Sequence, residues 1–334
     1  MSKHTTRSGQ RGGEIPQLTR ESSIGESRFP LPRRVTIREV GPRDGLQSEL
    51  PLPVEARARL IGALSRTGLR KIEAVSFVSE KAVPAMADAA EVWRAADRNP
   101  AVEYSALVPN RRGAEAALQA GGFGSLQAFL AASDGYNQKN VGKTVWESVG
   151  DVAEVARVGR EAGVRVEVSI STAFGDPYSG DVPPERVLEL ASELLELGVQ
   201  GISLGDTTGM ATPGRVWDVV GLLKVWLPGT PLNVHFHDTR GAAMANVLAA
   251  LEMGVDEFDA SVGGIGGSPF AEGAVGNVAT EDLVHMLEDM GIETDIDLDR
   301  LLEASKLVEE LVGHDIPSHV GKAGPRWSVA AAPD

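Results

Sequence analysis

From residue 34 onward the chain alternates between two hydrophobic periods. Short runs rich in β-branched residues repeat every second position, and longer stretches repeat every three or four. The short runs begin near Val35-Thr-Ile, Lys71-Ile-Glu-Ala, Glu103-Tyr-Ser-Ala-Leu, Leu126-Gln-Ala-Phe-Leu, Val164-Arg-Val-Glu-Val, Gly201-Ile-Ser-Leu, Leu232-Asn-Val-His-Phe and Glu257-Phe-Asp-Ala. They predict eight strands. Between them, residues 54–66 place Ala56, Leu60, Ile61 and Leu64 on one helical face, and residues 183–197 do the same with Val187, Leu190, Ala191, Leu194 and Leu195. Gly68, Gly163, Gly198 and Gly254 stand between helical runs and strands, where a left-handed cap turns the chain back. Eight strand–helix units in about 230 residues predict an α/β fold, a (β/α)8 TIM barrel. Residues 280–313 add C-terminal helices. No G-x-G-x-x-G follows the first strand, which weakens a dinucleotide-binding sheet.

The expected organisation is a disordered tail over 1–33, a catalytic barrel with its C-terminal helices over 34–325, and a short tail over 326–334. The first segment scatters Arg7, Arg11 and Arg20, but Glu14, Glu21 and Glu26 argue against a transit peptide. The net charge of −15 repels polyanions, so a nucleic-acid partner is not expected, although a local basic pocket for one phosphate-bearing substrate is compatible with it. No apolar run reaches the ~20 residues that span a bilayer, so no membrane partner is expected. The chain has no cysteine, which excludes disulfides, zinc–thiolate sites and thiol nucleophiles and fits a cytoplasmic protein.

In such a barrel, chemistry sits at the C-terminal ends of the strands. Strand one ends in Glu39-Val-Gly-Pro-Arg-Asp-Gly-Leu-Gln47, with Arg43 and Asp44 between glycines; a tight turn carrying a surface ion pair is the competing reading. Strand seven ends in His235-Phe-His237, and residues i and i+2 of a strand share a face. Both imidazoles can therefore share one cation, or can simply be packed histidines. A closed barrel brings strand one near strand seven, which makes Asp44 a candidate third ligand. Two histidines and a carboxylate without thiolate suit Mg, Mn, Co, Zn or Fe(II). Glu73 and Asp206 end strands two and six as candidate bases or partners of the ligands, with helix capping as the alternative for Asp206. Gly263-Gly-Ile-Gly-Gly-Ser-Pro-Phe270 and Gly273–Asn277 form a glycine-rich loop that either closes over a ligand or only connects.

These motifs resemble the 3-hydroxy-3-methylglutaryl-CoA lyase family, within the wider group of metal-dependent lyases and Claisen-type synthases on TIM barrels. The similarity runs from about Val35 to about Leu287 and is carried by EVGPRDGLQ at 39–47, IEAVSFVS at 72–79, SLGDTTG at 203–209, VHFHDTRG at 234–241 and GNVATEDLV at 276–284. The resemblance implies a divalent ion, Mg2+ or Mn2+, on Asp44, His235, His237 and Asn277. It implies a catalytic set of Arg43, Glu73, Asp206, His235 and Ser268, with Arg43 stabilising an acyl-CoA enolate. It implies substrate contacts from Arg43, Gln47, Ser76, Glu167, Ser203, Lys139 and Asn140. The implied reaction breaks the Cα–Cβ bond of 3-hydroxy-3-methylglutaryl-CoA, or of a relative such as citramalyl-CoA, to acetyl-CoA and a keto acid, as in leucine degradation. A homodimer is the expected assembly. Two departures stand out. Ser268 occupies the place of the family's catalytic cysteine, and Glu167 aligns with a tyrosine that touches the acyl group. A Claisen-type acyltransferase and a metal-binding non-catalytic homologue are the alternatives.

Overall fold

A computed structural model of the protein describes residues 31–267 and 276–328. Eight parallel strands close into a barrel in chain order: β1 (Thr36–Glu39), β2 (Lys71–Ser76), β3 (Glu103–Leu107), β4 (Ser125–Ala131), β5 (Arg165–Ser171), β6 (Gly201–Asp206), β7 (Leu232–Phe236) and β8 (Glu257–Ala260). The ring closes where β1 lies beside β8, with Arg38 opposite Asp259. The helices are α1 (Val54–Leu64), α2 (Ala89–Ala95), α3 (Arg111–Ala120), α4 (Asp134–Val141), α5 (Val145–Ala162), α6 (Pro184–Glu196), α7 (Pro213–Trp226), α8 (Ala243–Glu252), α9 (Thr280–Asp289), α10 (Leu298–Val312) and α11 (His319–Ala323). All eight expected strands form, α9 and α10 supply the two helical runs expected over 280–313, and α11 follows them as a further short helix. The four glycines read as helix stops have positive φ, from 68° to 93°.

Strand β5 shows how the barrel is built. Val166, Val168 and Ile170 are buried outward against the helices, while Glu167, Ser169 and Ser171 alternate with them on the inward face. Burying each such aliphatic side chain contributes about 1.5–3 kcal/mol. The barrel interior is polar: Arg38, Gln127, Glu167, Asn233, His235 and Asp259 hydrogen-bond one another across it. The interior therefore holds the charged groups beneath the mouth, and the apolar core lies between sheet and helices.

Both ends of the described chain are attached. Leu31 packs on the core, and the Arg33 carbonyl accepts from Glu293 N at 3.0 Å. At the other end Arg326 bonds Asp289, and Trp327 stacks on His285 with ring centroids 5.0 Å apart.

Glu39 ties the chain after β1 to the far side of the barrel seam. Its Oε1 accepts from Gly41 N at 2.7 Å and Val262 N at 2.9 Å, and its Oε2 accepts from Thr280 Oγ1 at 2.7 Å. Burial outweighs these bonds and pushes its pKa up to about 7. The unfolded carboxyl ionises near 4.5, so the cost of ionising the buried group is absent at lower pH, grows between about 4.5 and 7, and is complete above that. Glu39→Gln keeps an acceptor for both amides. Its stability relative to the parent, read from urea midpoints, is expected to improve by roughly 2–3 kcal/mol between pH 5 and 8. A difference independent of pH contradicts this account of Glu39.

Candidate active site

After β1 the backbone makes a tight π-helical turn over Gly41–Gly45. The amides of Arg43, Asp44 and Gly45 all converge on the Val40 carbonyl, at 3.1, 2.7 and 3.2 Å. Gly45 is needed there, because a Cβ at that position would meet Ser261 Oγ at 2.7 Å and Ile265 Cγ1 at 2.8 Å. The turn swings Asp44 back over the barrel mouth toward β7. His235 lies near the end of β7 and His237 just beyond it. Their Nε2 atoms are 3.1 Å apart, and His235 Nε2 is 3.8 Å from Asp44 Oδ2. One potential ligand atom from each of Asp44, His235 and His237 falls within 4.8 Å of the others.

This donor set fits a divalent cation. His235 Nδ1 is 3.0 Å from Asp259 Oδ2, so the ring proton belongs on Nδ1 and the Nε2 lone pair faces the cluster. Donors about 2.0–2.6 Å from one ion lie at separations of the observed kind. Negative charge also collects here. Burial lowers the His235 pKa, but the bond to Asp259 and the charge of Asp44 outweigh it and raise it overall. Burial raises the Asp44 carboxyl, yet Arg43 and the two imidazoles bring it down to about 2. Asn277 joins the cluster through Nδ2, which donates to Asp44 Oδ2 at 2.8 Å and to the Ile265 carbonyl at 3.0 Å. Its amide nitrogen faces Asp44, so a ligand role for Asn277 requires the amide to turn over. Gly266, at φ 108°, leaves room for that amide: a Cβ there would lie 2.6 Å from Nδ2.

Arg43 stands beside the donor set. Its Nη1 donates to Asp44 Oδ1 at 2.6 Å, and its Nε donates to Glu73. Glu73 sits at a register shift between β2 and β3, the kind of irregularity that re-aims a side chain at a barrel rim. Gln47 Nε2 donates to the same Asp44 oxygen at 3.1 Å. The two oxygens of Asp206 have different surroundings. Oδ1 accepts from Met210 N and Ala211 N at 2.7 and 2.9 Å, holding the turn before α7. Oδ2 is buried without a hydrogen-bond partner. Burial outweighs those bonds and raises the Asp206 pKa to about 7. Ser76 ends β2 with its hydroxyl buried and unpartnered, and Ser203 Oγ donates to Asn233 Oδ1 at 3.4 Å.

Glu167, which the resemblance aligns with a substrate-touching tyrosine, lies on the inward face of β5, opposite Gly201 at the start of β6. There it accepts from Arg38 Nη1 at 3.0 Å and Gln127 Nε2 at 2.7 Å, which offset its charge. Ser169, on the same face and one step nearer the mouth, pairs with Ser203. Lys139, exposed, and Asn140, half-buried, lie on α4 after β4, at the catalytic end. Ser268 falls outside the described residues. Sequence reasoning missed Arg38 and Asp259, which pair beneath His235. The available signal was an arginine inside the short strand Thr36–Glu39 and an acid on the inward face of β8.

The comparisons agree with this geometry. The HMGL-like family model matches residues 34–308. The chain is 47% identical over 291 residues to the hydroxymethylglutaryl-CoA lyase YngG of Bacillus subtilis, covering 87% of this chain and 97% of that protein. It is 44% identical over 303 residues to the mitochondrial hydroxymethylglutaryl-CoA lyase of Bos taurus, covering 90% and 92%. Relatives named as cytoplasmic also match. The fold superposes with a TM-score of 0.86 on an HMG-CoA lyase of Acinetobacter baumannii in complex with coenzyme A and 3-methylmalate, at 40% identity and covering 90% and 98% of the two chains.

Proposed function

We propose that this chain, which belongs to the HMGL-like family and is a metal-dependent carbon–carbon lyase, cleaves 3-hydroxy-3-methylglutaryl-CoA to acetyl-CoA and a keto acid. The observation that carries the reading is the donor set of Asp44, His235 and His237 with the Arg43 guanidinium bonded to its carboxylate. A divalent ion held there, Mg2+ or Mn2+, supplies Lewis-acid polarisation of the substrate oxygens. The other steps belong to the side chains. Asp206 Oδ2 takes the hydroxyl proton. The Cα–Cβ bond then breaks, its electron pair passes into the thioester enolate, and the former alcohol carbon becomes the ketone. Arg43 offsets the enolate charge, while Glu73 holds its fork in place. Gln47, Ser76 and Ser203 orient the acyl group, and Lys139 and Asn140 meet the coenzyme A portion. Water positioned by Ser268 gives a proton to the enolate carbon and completes acetyl-CoA, and the hydroxide left behind takes up the proton held by Asp206, which restores both the water and the ionised carboxylate.

Asp206 works as a base only when ionised. Activity is therefore expected to fall as pH drops through an apparent pKa at or below 7. Asp206→Asn keeps acceptors for Met210 N and Ala211 N and is expected to lower kcat by about 10²–10⁴-fold and to erase that acidic limb. An unchanged pH profile rules out Asp206 as the base. At the glycine-rich loop, Ser268→Cys supplies a thiol with a pKa of about 8.5 in place of a far weaker acid, and kcat is expected to rise on the order of tenfold. A kcat that stays put places the final proton transfer elsewhere.

The same reading includes a cytoplasmic homodimer. Trp217, Val225 and Trp226 on α7 and Leu248 on α8 are exposed, and large apolar side chains left in solvent support an assembly. Among the described residues, no helix is long and apolar enough to cross a membrane.

A further inference from the structure

We infer that Arg38, acting through Asp259, is a positioning residue that fixes the metal ligand His235 from beneath the site. The inference rests on the metal-site reading above. Arg38 is 3% exposed and Asp259 7%. The guanidinium grips the carboxylate with two nitrogens: Nε donates to Oδ1 at 2.7 Å and Nη2 to Oδ2 at 2.9 Å. A paired fork of this kind sets the plane of a carboxylate as well as its position. Each Asp259 oxygen takes one further donor. Asn233 Nδ2 reaches Oδ1 at 2.8 Å, and His235 Nδ1 reaches Oδ2 at 3.0 Å. The carboxylate is saturated and cannot turn without breaking a bond. The third guanidinium nitrogen, Nη1, bonds Glu167 on β5, on the opposite side of the barrel from β1, and Gln127 braces that carboxylate from β4. Arg38 thus spans the barrel and anchors Asp259 to both walls. Asp259 in turn fixes the His235 proton on Nδ1 and the direction in which Nε2 faces.

A space-filling ion pair would share the burial but not the contact with a ligand. The barrel supplies a comparison in a less buried pair, with side chains 19% and 21% exposed. Lys71 Nζ bonds both Glu257 oxygens at 2.8 Å and has no bond to Asp259 among the described residues. If Arg38 only stabilises the fold, Arg38→Met and Lys71→Met both lower Tm and leave metal binding alone.

The test is isothermal titration with Mn2+ of the full-length protein and its variants, with folding checked by circular dichroism. Partners that orient a ligand are typically worth 10–100-fold in metal affinity, so Arg38→Met and Asp259→Asn are expected to weaken Mn2+ binding by about that factor. Arg38→Lys keeps the charge but loses the fork, and is expected to fall between them and the parent. Lys71→Met is expected to bind within about threefold of the parent. Folded Arg38→Met and Asp259→Asn proteins that bind Mn2+ like the parent overturn the inference. If those two do not fold, Arg38→Lys decides it, and parent-like affinity there overturns it as well. His237→Ala separates the two levels. Undiminished Mn2+ binding by that variant removes the metal-site reading itself, whereas its loss together with intact binding by the Arg38 variants removes only the role of Arg38.

Discussion

Arg43→Met is expected to lower kcat by about 10³-fold, the scale on which a preorganised charge acts at a developing oxyanion. Arg43 is inside the mouth, with its side chain 11% exposed, and both of its carboxylate partners are more buried still. Glu73 and Asp44 fix the guanidinium from two directions before substrate arrives, so little reorganisation is left for the reaction itself. In water the same charge would be screened; here it acts in a site from which solvent is largely excluded. Arg43→Lys retains the charge without the planar fork, and is expected to lose about 10–10²-fold. Because Arg43 also touches Asp44, Mn2+ affinity is measured alongside kcat at saturating metal. A change confined to metal affinity, with kcat preserved at saturation, contradicts the enolate role.

Removal of the ion is expected to have the largest effect of all. Dialysis against a chelator should take activity to background, and added Mg2+ or Mn2+ should restore it. His237→Ala leaves one imidazole and one carboxylate, and is expected to lose at least about 10²-fold in metal affinity, with activity falling accordingly. The loss should be partly recovered at high metal concentration if the remaining donors still hold the ion in place. Full activity in the chelated protein contradicts a metal-dependent mechanism, whatever the donor geometry.

How much of this was legible in the sequence depended on the distance over which information had to travel. The strands announced themselves by local alternation, and His235 and His237 by their i, i+2 spacing. Asp44 needed only the closure of the barrel, which brings strand one beside strand eight. Glu167 entered through the resemblance, because alternation along β5 gives the face of a residue but not its height in the barrel. Height follows from register, and the Glu167–Gly201 pairing lies outside any local window. The Arg38–Asp259 and Arg38–Glu167 bonds join residues 221 and 129 positions apart, and no periodicity encodes them. The helices α4 and α11 were missed because eight and five residues are too few to display an amphipathic stripe. For Asp206 the sequence offered capping or chemistry, and only the structure shows that one oxygen holds the turn before α7 while the other is buried without a hydrogen-bond partner.

The central claim is metal-dependent cleavage of one carbon–carbon bond. It is tested by incubating the full-length protein with 3-hydroxy-3-methylglutaryl-CoA, with and without Mg2+ or Mn2+, and following the products by mass spectrometry. The account predicts acetyl-CoA and a keto acid in equal amounts with the ion present, and neither after chelation. Intact thioester in the presence of the ion, for this substrate and for other 3-hydroxy-3-carboxyalkyl thioesters, would contradict it.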